Sequence, residues 1–259
     1  MRYSLAELCI CAAAETFRGD GERMITSIGL VPRLAASLAK LTFEPGLMMT
    51  EGEAYLVSEP VPVGPRGDYK PKIEGLMTYE KVFTIISRGY RHAMVTPVQV
   101  DQYGQMNISI VGDYEKPKTA LLGVRGYPGN TISNANSMFV PSHDTRTFVA
   151  DEVDMVGGIG YNTARWPNGI KPEFLDLRRI VSNLAVMDFK GDNHAIRVIS
   201  LHPGVTFDEV QDNTGFALEQ AAALGVTPPP EAQQLAVLAQ LDPHDLRKTI
   251  FRDNPPGER

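Results

Sequence analysis

The chain has 259 residues, of which 43% are hydrophobic, and a formal net charge of −6 at pH 7. This length can supply a full hydrophobic core, whereas the acidic balance and the lack of a long basic run argue against nucleic acid as a partner. No apolar stretch is long enough to cross a bilayer, and the charged first residues do not fit a secretory signal. We therefore expect a cytoplasmic protein that binds neither nucleic acid nor membrane.

The first part of the sequence predicts a parallel crossover unit. Ser4 and Glu7 form a capping-box pattern, which predicts a first helix. Residues 24–28 and 47–50 are short apolar runs typical of strands, and the amphipathic segment 31–40 between them is typical of a helix. A strand, a helix and a second strand in this order indicate a parallel sheet.

The second predicted strand runs directly into Glu51, Gly52 and Glu53. In an open α/β sheet, ligands bind outside the carboxyl ends of the strands. Glu51 is therefore a candidate catalytic carboxylate. The alternative is that Glu51 and Glu53 are only the solvated end of a strand.

Residues 58–72 are rich in proline and glycine and show no hydrophobic periodicity. This composition predicts a surface excursion of the kind used for binding or as a lid. The remaining elements are predicted from periodicity, caps and turn residues. They are a helix at 78–89, a strand at 92–100 bent at Pro97, strands at 107–111, 137–140 and 146–156, a hairpin of 179–189 with 194–201, a short helix at 206–210, and helices at 229–241 and 243–251.

Two more glycine-linked segments lie at predicted strand ends. Gln99 precedes a turn at residues 101–104, and residues 123–130 are the most glycine-dense part of the chain. A carboxylate, an amide and a cradle of backbone N–H groups at one sheet edge would suit attack on, or hydration of, an acyl group. The structural alternatives are that Gln99 and Asp101 only fix a turn and that Pro128-Gly129 forms another.

Other cofactor and catalytic motifs are missing from the sequence. The 123–130 segment has neither dinucleotide-binding spacing nor the lysine of a P-loop, and no Gly-x-Ser-x-Gly elbow occurs. The five histidines and the pair Cys9 and Cys11 lack metal-ligand spacing. We expect no metal and no cofactor, and we interpret the cysteines as packing residues in a reducing compartment.

The glycine-linked sites, in this order, resemble the β subunits of family I CoA-transferases, such as glutaconate CoA-transferase. The motifs that carry the resemblance are Ile28-Gly29-Leu30-Val31-Pro32, Asp101-x-Tyr103-Gly104-x-x-Asn107, Gly112-Asp113-Tyr114, Gly123-x-x-Gly126, Gly157-Gly158 and Asn213-Thr214-Gly215-Phe216. The resemblance implies an α/β fold with an open, mostly parallel sheet and additional antiparallel strands, as one domain over residues 1–259. It also implies an α-subunit partner, in an αβ or α2β2 heteromer with the active site at the subunit interface.

Further motifs are similar to the β subunits of CoA-thioester hydrolases that open the last ring in steroid (cholesterol) degradation. They are Thr42-Phe43-x-Pro45, Gly52-Glu53-Ala54, Arg91-His92, Gly123-Val124-Arg125-Gly126-x-Pro128-Gly129-Asn130 and Ser200-Leu201-His202-Pro203-Gly204. This resemblance implies hydration and retro-Claisen cleavage of a cyclic β-keto CoA thioester. CoA would enter as part of the substrate, and the main catalytic carboxylate would lie on the α subunit.

Glu51 falls at the position of the transferase nucleophile, but two nearby residues depart from the transferase pattern. Gly52 follows Glu51 immediately, and Arg125 stands where a glycine is expected. A guanidinium at that place changes both the space and the charge beside the acyl group. We therefore expect pocket residues rather than a nucleophile. The expected pocket residues are Glu51, Gln99, Asn107, Arg125 and Asn130, with backbone donors at Gly123 and Gly126.

Three hypotheses stay open at this point. The preferred one is the ring-cleaving hydrolase subunit, which would be active only with its α subunit. The second is a CoA-transferase subunit in which Glu51 acts as a covalent nucleophile and CoA moves between carboxylic acids. The third is a non-catalytic subunit that scaffolds an enzymatic partner. Arg125 has a structural alternative of its own, a salt bridge to the partner.

Overall fold

A computed structural model describes residues 2–51, 55–124, 126–167, 170 and 173–258. The chain divides into two compact units, which are treated separately below. The first consists of Met1–Val95 with Pro228–Arg259, and the second of Thr96–Thr227. The single domain expected over residues 1–259 stays a prediction. Among the residues described, no helix is long and apolar enough to cross a membrane.

Helices and strands follow one another along both units. The helices are α1 (Leu5–Ala14), α2 (Leu30–Thr42), α3 (Tyr79–Ser87), α4 (Tyr127–Ser133), α5 (Phe207–Asp212) and α6 (Ala232–Leu241). The strands are β1 (Met24–Ser27), β2 (Met48–Glu51), β3 (Tyr55–Val57), β4 (Ile73–Leu76), β5 (Arg91–Val95), β6 (Gln99–Val100), β7 (Met106–Asn107), β8 (Ile110–Gly112), β9 (Pro117–Ala120), β10 (Ala135–Val140), β11 (Asp176–Ser182), β12 (Ala185–Asp188), β13 (Arg197–Leu201) and β14 (Glu219–Val226).

The first unit is a sheet with the strand order β5-β1-β2-β3-β4. β1 is parallel to both β5 and β2, and β3 and β4 continue the sheet as antiparallel strands. α1 packs against α2, and α2 also contacts α6. The large side chains that these elements bury completely include Leu8, Ile10, Phe17, Leu34, Leu38, Leu47 and Met94. The predicted crossover of β1, α2 and β2 is confirmed.

Local signals explain where the helices of this unit begin. The Ser4 hydroxyl accepts a hydrogen bond from the Glu7 N–H at 3.3 Å, and the Glu7 carboxylate accepts from the Ser4 N–H at 2.9 Å. This capping box satisfies N–H groups that the first turn of α1 leaves unpaired. α2 begins after Gly29, whose φ of 112° is one that only glycine adopts at low cost. Gly29 thus turns the chain from β1 into α2.

The second unit contains a sheet with the order β14-β13-β12-β11-β10. β10 is parallel to β11 and β13 is parallel to β14, while β12 pairs antiparallel with both of its neighbours. Its largest completely buried side chains are Met106, Met138, Phe148, Ile180 and Met187. The hairpin predicted around residues 190–193 is confirmed as β12 and β13. The α/β class with parallel strands and added antiparallel strands is confirmed as well.

The prediction of a strand over residues 146–156 is wrong. The Asp144 carboxylate accepts hydrogen bonds from the N–H groups of Arg146 and Thr147, both at 3.0 Å, and this folds the chain into a turn. Beyond the turn, the segment makes only an isolated bridge between Phe148 and Val100. The hydrogen bonds of the Asp144 side chain to the nearby backbone therefore favour a turn, although the sequence pattern is typical of a strand.

His143 is a core residue of the second unit. Its Nδ1 lies 2.8 Å from the Ser182 hydroxyl and its Nε2 lies 2.9 Å from the Thr214 hydroxyl. The imidazole stacks on the Phe148 ring with 3.9 Å between centroids. Burial lowers the pKa of His143 to about 3 because the surroundings disfavour the charged ring. His143 is therefore neutral in the folded protein.

This burial predicts a dependence of stability on pH. His143 has a pKa of 6.5 in the unfolded chain and of about 3 in the folded protein. Its contribution to the free energy of unfolding is therefore fully present above pH 6.5. It is lost as the pH falls towards about 3, because only the unfolded chain takes up a proton in this range. The free energy of unfolding should fall by up to about 1.4 kcal/mol per pH unit from this one group. Urea unfolding followed by circular dichroism at several pH values should show a smaller slope for His143→Gln. Equal slopes would contradict the assignment.

Candidate active site

Glu51 is the last residue of β2, at the carboxyl edge of the parallel strands β1 and β2. Its side chain is only 10% exposed. Arg33, near the start of α2, donates from Nη2 to Glu51 Oε2 at 2.8 Å. Arg66 donates from Nη2 to Glu51 Oε1. Each carboxylate oxygen is therefore held by a guanidinium group. We call Glu51, Arg33 and Arg66 the acid clamp.

The two arginines decide the charge of Glu51. Burial on its own would raise the pKa of this carboxyl, since the charged form loses water. The hydrogen bonds and charges of Arg33 and Arg66 outweigh burial, so the pKa of Glu51 lies below its usual value. Glu51 is thus an ionised and weakly basic carboxylate at neutral pH. Each oxygen of Glu51 already accepts a charged hydrogen bond, which lowers its reactivity as a nucleophile.

Arg33 and Arg66 are site residues that the sequence analysis missed. Arg66 lies in the 58–72 segment, which was predicted as a surface excursion, and no named strand or helix falls between Ser58 and Lys72. The segment is nevertheless tied down. Val63 N–H donates to the Leu241 carbonyl at 2.8 Å, and the His244 Nε2–H donates to the Pro65 carbonyl at 3.0 Å. We call this segment the proline loop.

A cavity of about 470 Å³ opens beside Arg66. The residues that line it come from the proline loop and from the chain just after α6. They are Pro62, Pro65, Arg66, Gly67, Tyr69, Pro243 and His244. All of them belong to the first unit. The cavity thus adjoins the acid clamp through Arg66.

Gln99 and Asn107 face each other in the second unit as a pair of the β6–β7 ladder. The Asn107 amide donates to Gln99 Oε1 at 2.7 Å, and its oxygen accepts from the N–H groups of Ser109 and Ile110 at 2.9 and 3.2 Å. Gln99 Nε2 donates to the Asp154 carboxylate at 3.0 Å. Both amides are buried, and their hydrogen bonds stabilise the local fold. The proposed contact of these residues with substrate stays a prediction.

Asp101 fixes the turn between these two strands. Its carboxylate accepts hydrogen bonds from the N–H groups of Tyr103 and Gln105 at 3.0 and 2.9 Å and from the Gln105 amide at 2.6 Å. Burial raises the pKa of Asp101, and these hydrogen bonds offset the rise only in part. Gly104 completes the turn with a φ of +79°. All of these contacts of Asp101 are explained by its role in fixing the turn, which was the structural alternative for this residue.

The glycine-dense segment contains a short helix instead of an open loop. Gly123 has a φ of +86°, and Gly126 is the N-cap of α4. Pro128 lies in the first turn, where a missing N–H costs little. Asn130 is 1% exposed; its amide donates to Asn136 Oδ1 at 2.8 Å. Its own buried Oδ1 has no hydrogen-bond partner within the part of the chain that the model covers.

The structure thus places the expected pocket residues in two groups. Glu51 belongs to the first unit, and Gln99, Asn107, Gly123, Gly126 and Asn130 belong to the second. Arg125, Gly52 and Glu53 lie outside the described residues. No cluster of three or more His, Cys, Asp or Glu side chains that could hold a metal occurs among the residues described. The role of the second group in substrate binding stays a prediction.

Sequence comparison relates the chain to a steroid-degrading enzyme. No protein-family model matches it. It is 42% identical over 243 residues to the cholesterol ring-cleaving hydrolase IpdB subunit of Rhodococcus jostii, an alignment that covers 93% of this chain and 94% of that protein.

Structural comparison gives the same relationship and confirms the fold type. The crystal structure of Rhodococcus jostii IpdAB superimposes with a TM-score of 0.89 and 40% identity, over 97% of this chain and 100% of the matched one. Glutaconate CoA-transferase from Acidaminococcus fermentans has a TM-score of 0.78 at 21% identity, over 94% of this chain and 96% of that one. The second likeness is one of fold and confirms the predicted CoA-transferase type.

Two glycine substitutions distinguish an effect on activity from an effect on stability. Gly126→Ala adds a Cβ that meets no atom within 4 Å, so we expect a loss of stability of about 1 kcal/mol or less, from the poorer N-cap alone. If the Gly126 backbone borders the substrate, kcat/KM of the assembled enzyme should fall about tenfold, a loss of about 1.4 kcal/mol. The matched control is Gly104→Ala, whose Cβ would lie 2.5 Å from the Phe189 ring and should cost about 1–3 kcal/mol of stability. Wild-type activity of Gly126→Ala would remove Gly126 from the site.

Proposed function

Because the chain belongs to the family of cholesterol ring-cleaving hydrolase IpdB subunits, we propose that it is the β subunit of a heteromeric hydrolase that opens the ring of a cyclic β-keto CoA thioester. The observation that carries this proposal is the 42% identity over 93% of the chain. The setting of Glu51 supports it, since a carboxylate held by two guanidinium groups fits an anchor better than a covalent nucleophile.

The proposed reaction cleaves a C–C bond without releasing CoA. Water adds to the ring ketone, and the bond between this carbon and the carbon next to the thioester breaks. The electron pair of that bond is delocalised into the thioester as an enolate, which then takes up a proton, while the former ketone becomes a carboxylate. CoA therefore activates the substrate and stays attached. A base must remove the proton from water, and we assign it to a carboxylate of the α subunit.

The contribution of this chain is to bind and orient the substrate. Glu51 fixes Arg33 and Arg66, so two guanidinium groups are positioned before any substrate arrives. Positioned cations stabilise oxyanions more effectively than mobile ones, because no reorganisation is needed during the reaction. Asn130 offers a buried acceptor that has no hydrogen-bond partner among the residues described. We propose that this oxygen accepts a hydrogen bond from an N–H group of the substrate or of the α subunit.

The second candidate, a CoA-transferase, is tested by trapping. In that reaction Glu51 would carry CoA as a glutamyl thioester, which borohydride reduces. The assembled enzyme should show an unmodified Glu51 peptide by mass spectrometry after incubation with acyl-CoA and borohydride. A glutaconate CoA-transferase treated in parallel serves as the positive control. A reduced Glu51, together with dependence on an acceptor acid, would overturn the hydrolase assignment.

The surface of the first unit supports a partner chain. No residue of α3 is buried, although the helix carries Tyr79 and Phe83, which are 66% and 63% exposed. Leu76, at the end of the edge strand β4, is 63% exposed. Neighbouring exposed apolar side chains of this kind mark interaction surfaces. We infer that the α subunit covers this face.

Assembly should therefore depend on α3. Replacing Phe83 and Tyr79 together by serine removes two large apolar anchors, and central anchors of this type contribute about 2 kcal/mol or more each. The variant should lose co-purification with the α subunit and the ring-opening activity that depends on it. The matched control is Tyr114→Ser, which removes a 74% exposed tyrosine from the other unit. Normal assembly of the α3 variant would exclude this face as the interface.

We also infer a cytoplasmic location. The support is that Cys9 and Cys11 are buried as thiols in α1, which suits a reducing compartment.

A further inference from the structure

We propose that Arg66 and the adjoining cavity bind a compact hydrocarbon ring that carries an oxyanion, such as an alicyclic carboxylate. The binding site itself is inferred from geometry and charge. Its assignment to the acyl part of the CoA thioester rests on the proposed function. In this view Arg66 contacts the ligand, and Glu51 is a positioning residue that holds Arg66 in place.

The walls of the cavity select an apolar body. They consist largely of the rings of Pro62, Pro65 and Pro243 and the ring of Tyr69. The volume of about 470 Å³ lies within the range of about 300–1,000 Å³ for small-molecule pockets. Contact between a hydrocarbon and these rings removes apolar surface from water, which is favourable and needs no particular hydrogen-bonding partner. A saturated ring therefore suits this cavity.

The charge of the acid clamp selects an anion. Two guanidinium groups share one carboxylate, so one positive charge is not neutralised within the clamp. Arg66 lines the cavity and pairs with only one oxygen of Glu51, while a guanidinium carries five N–H donors. The buried Nε of Arg33 also has no hydrogen-bond partner among the residues described. An oxyanion in the cavity would meet the Arg66 guanidinium, whose N–H groups are not all used by Glu51.

The cavity is also held in shape before a ligand arrives. The Val63–Leu241 and His244–Pro65 hydrogen bonds fix the proline loop at two points. Gly64 has a φ of +94°, and a Cβ at this position would lie 2.9 Å from the His244 ring. The loop therefore passes His244 more closely than a larger residue would permit. A preformed wall reduces the ordering cost of binding.

These features together favour a ligand with both parts over simpler occupants. A bare inorganic anion would leave the proline and tyrosine rings in contact with water. A neutral hydrocarbon would leave the charge of Arg66 without a counterpart in the cavity. Only a ligand with both parts uses the rings and the guanidinium at once.

The test is a ligand-observed NMR titration of the assembled heteromer with three probes. Cyclohexanecarboxylate has both the ring and the anion, cyclohexylmethanol has only the ring, and acetate has only the anion. We expect cyclohexanecarboxylate to bind about tenfold more tightly than either comparator. Arg66→Gln should lower its affinity about tenfold, and Tyr69→Ala should weaken cyclohexanecarboxylate but leave acetate unchanged.

The control is Arg18→Gln, which removes an exposed arginine that also pairs with a glutamate in the first unit. This variant should keep the wild-type affinities. If Arg66→Gln fails to assemble, Arg66→Lys replaces it; because lysine lacks the planar fork, we expect an intermediate affinity for cyclohexanecarboxylate. Wild-type affinity in an assembled Arg66 variant, or equal binding of all three probes, would overturn the proposal.

Ring-opening activity is measured separately with a CoA thioester. Failed probe binding in an active hydrolase would refute this site alone. Probe binding in a complex without hydrolase activity would instead refute the proposed function and leave the site standing.

Discussion

The ion pairs of Glu51 are the interaction on which the first unit depends. They join three segments that lie apart in the sequence: the carboxyl end of β2, the start of α2 and the proline loop. Removing Glu51 from this partly buried cluster would leave two guanidinium groups without their shared carboxylate, which costs more than the intact pairs contribute. The same contacts turn an acid at a strand end from a reactive group into an anchor. The role of this chain therefore follows from the two arginines that Glu51 holds in place.

The sequence predicted those features that short segments determine on their own. The capping box of Ser4 and Glu7 predicted α1, and the alternation of strand and helix predicted the parallel pair β1 and β2. Where a side chain acts against the local pattern, prediction failed. Asp144 bends a strand-like segment into a turn. Pro128-Gly129 is typical of a turn, but Pro128 lies in the first turn of α4, where proline is also tolerated.

The site was predicted less completely than the fold, because long-range pairing leaves no periodic signal. Glu51 was found from its place after a strand, but the arginines that define its charge come from positions 18 residues before it and 15 residues after it. The amides of Gln99 and Asn107 were chosen for their chemistry, yet they bond to each other, to Asp154 and to nearby backbone N–H groups. The functional class was predicted from resemblance. The geometry then favoured ring-cleaving hydrolysis over CoA transfer, because Glu51 is held by two arginines.

The burial of the two cysteines has a practical consequence for following motions of the first unit. Burial raises the pKa of the Cys9 thiol above its usual range and that of Cys11 to about 12, and alkylating reagents attack only the thiolate. Both residues lie on α1, against the core of the unit. Modification therefore requires α1 to open first. Mass-tagged alkylation of the native complex would report the opening of this helix, without any engineered probe.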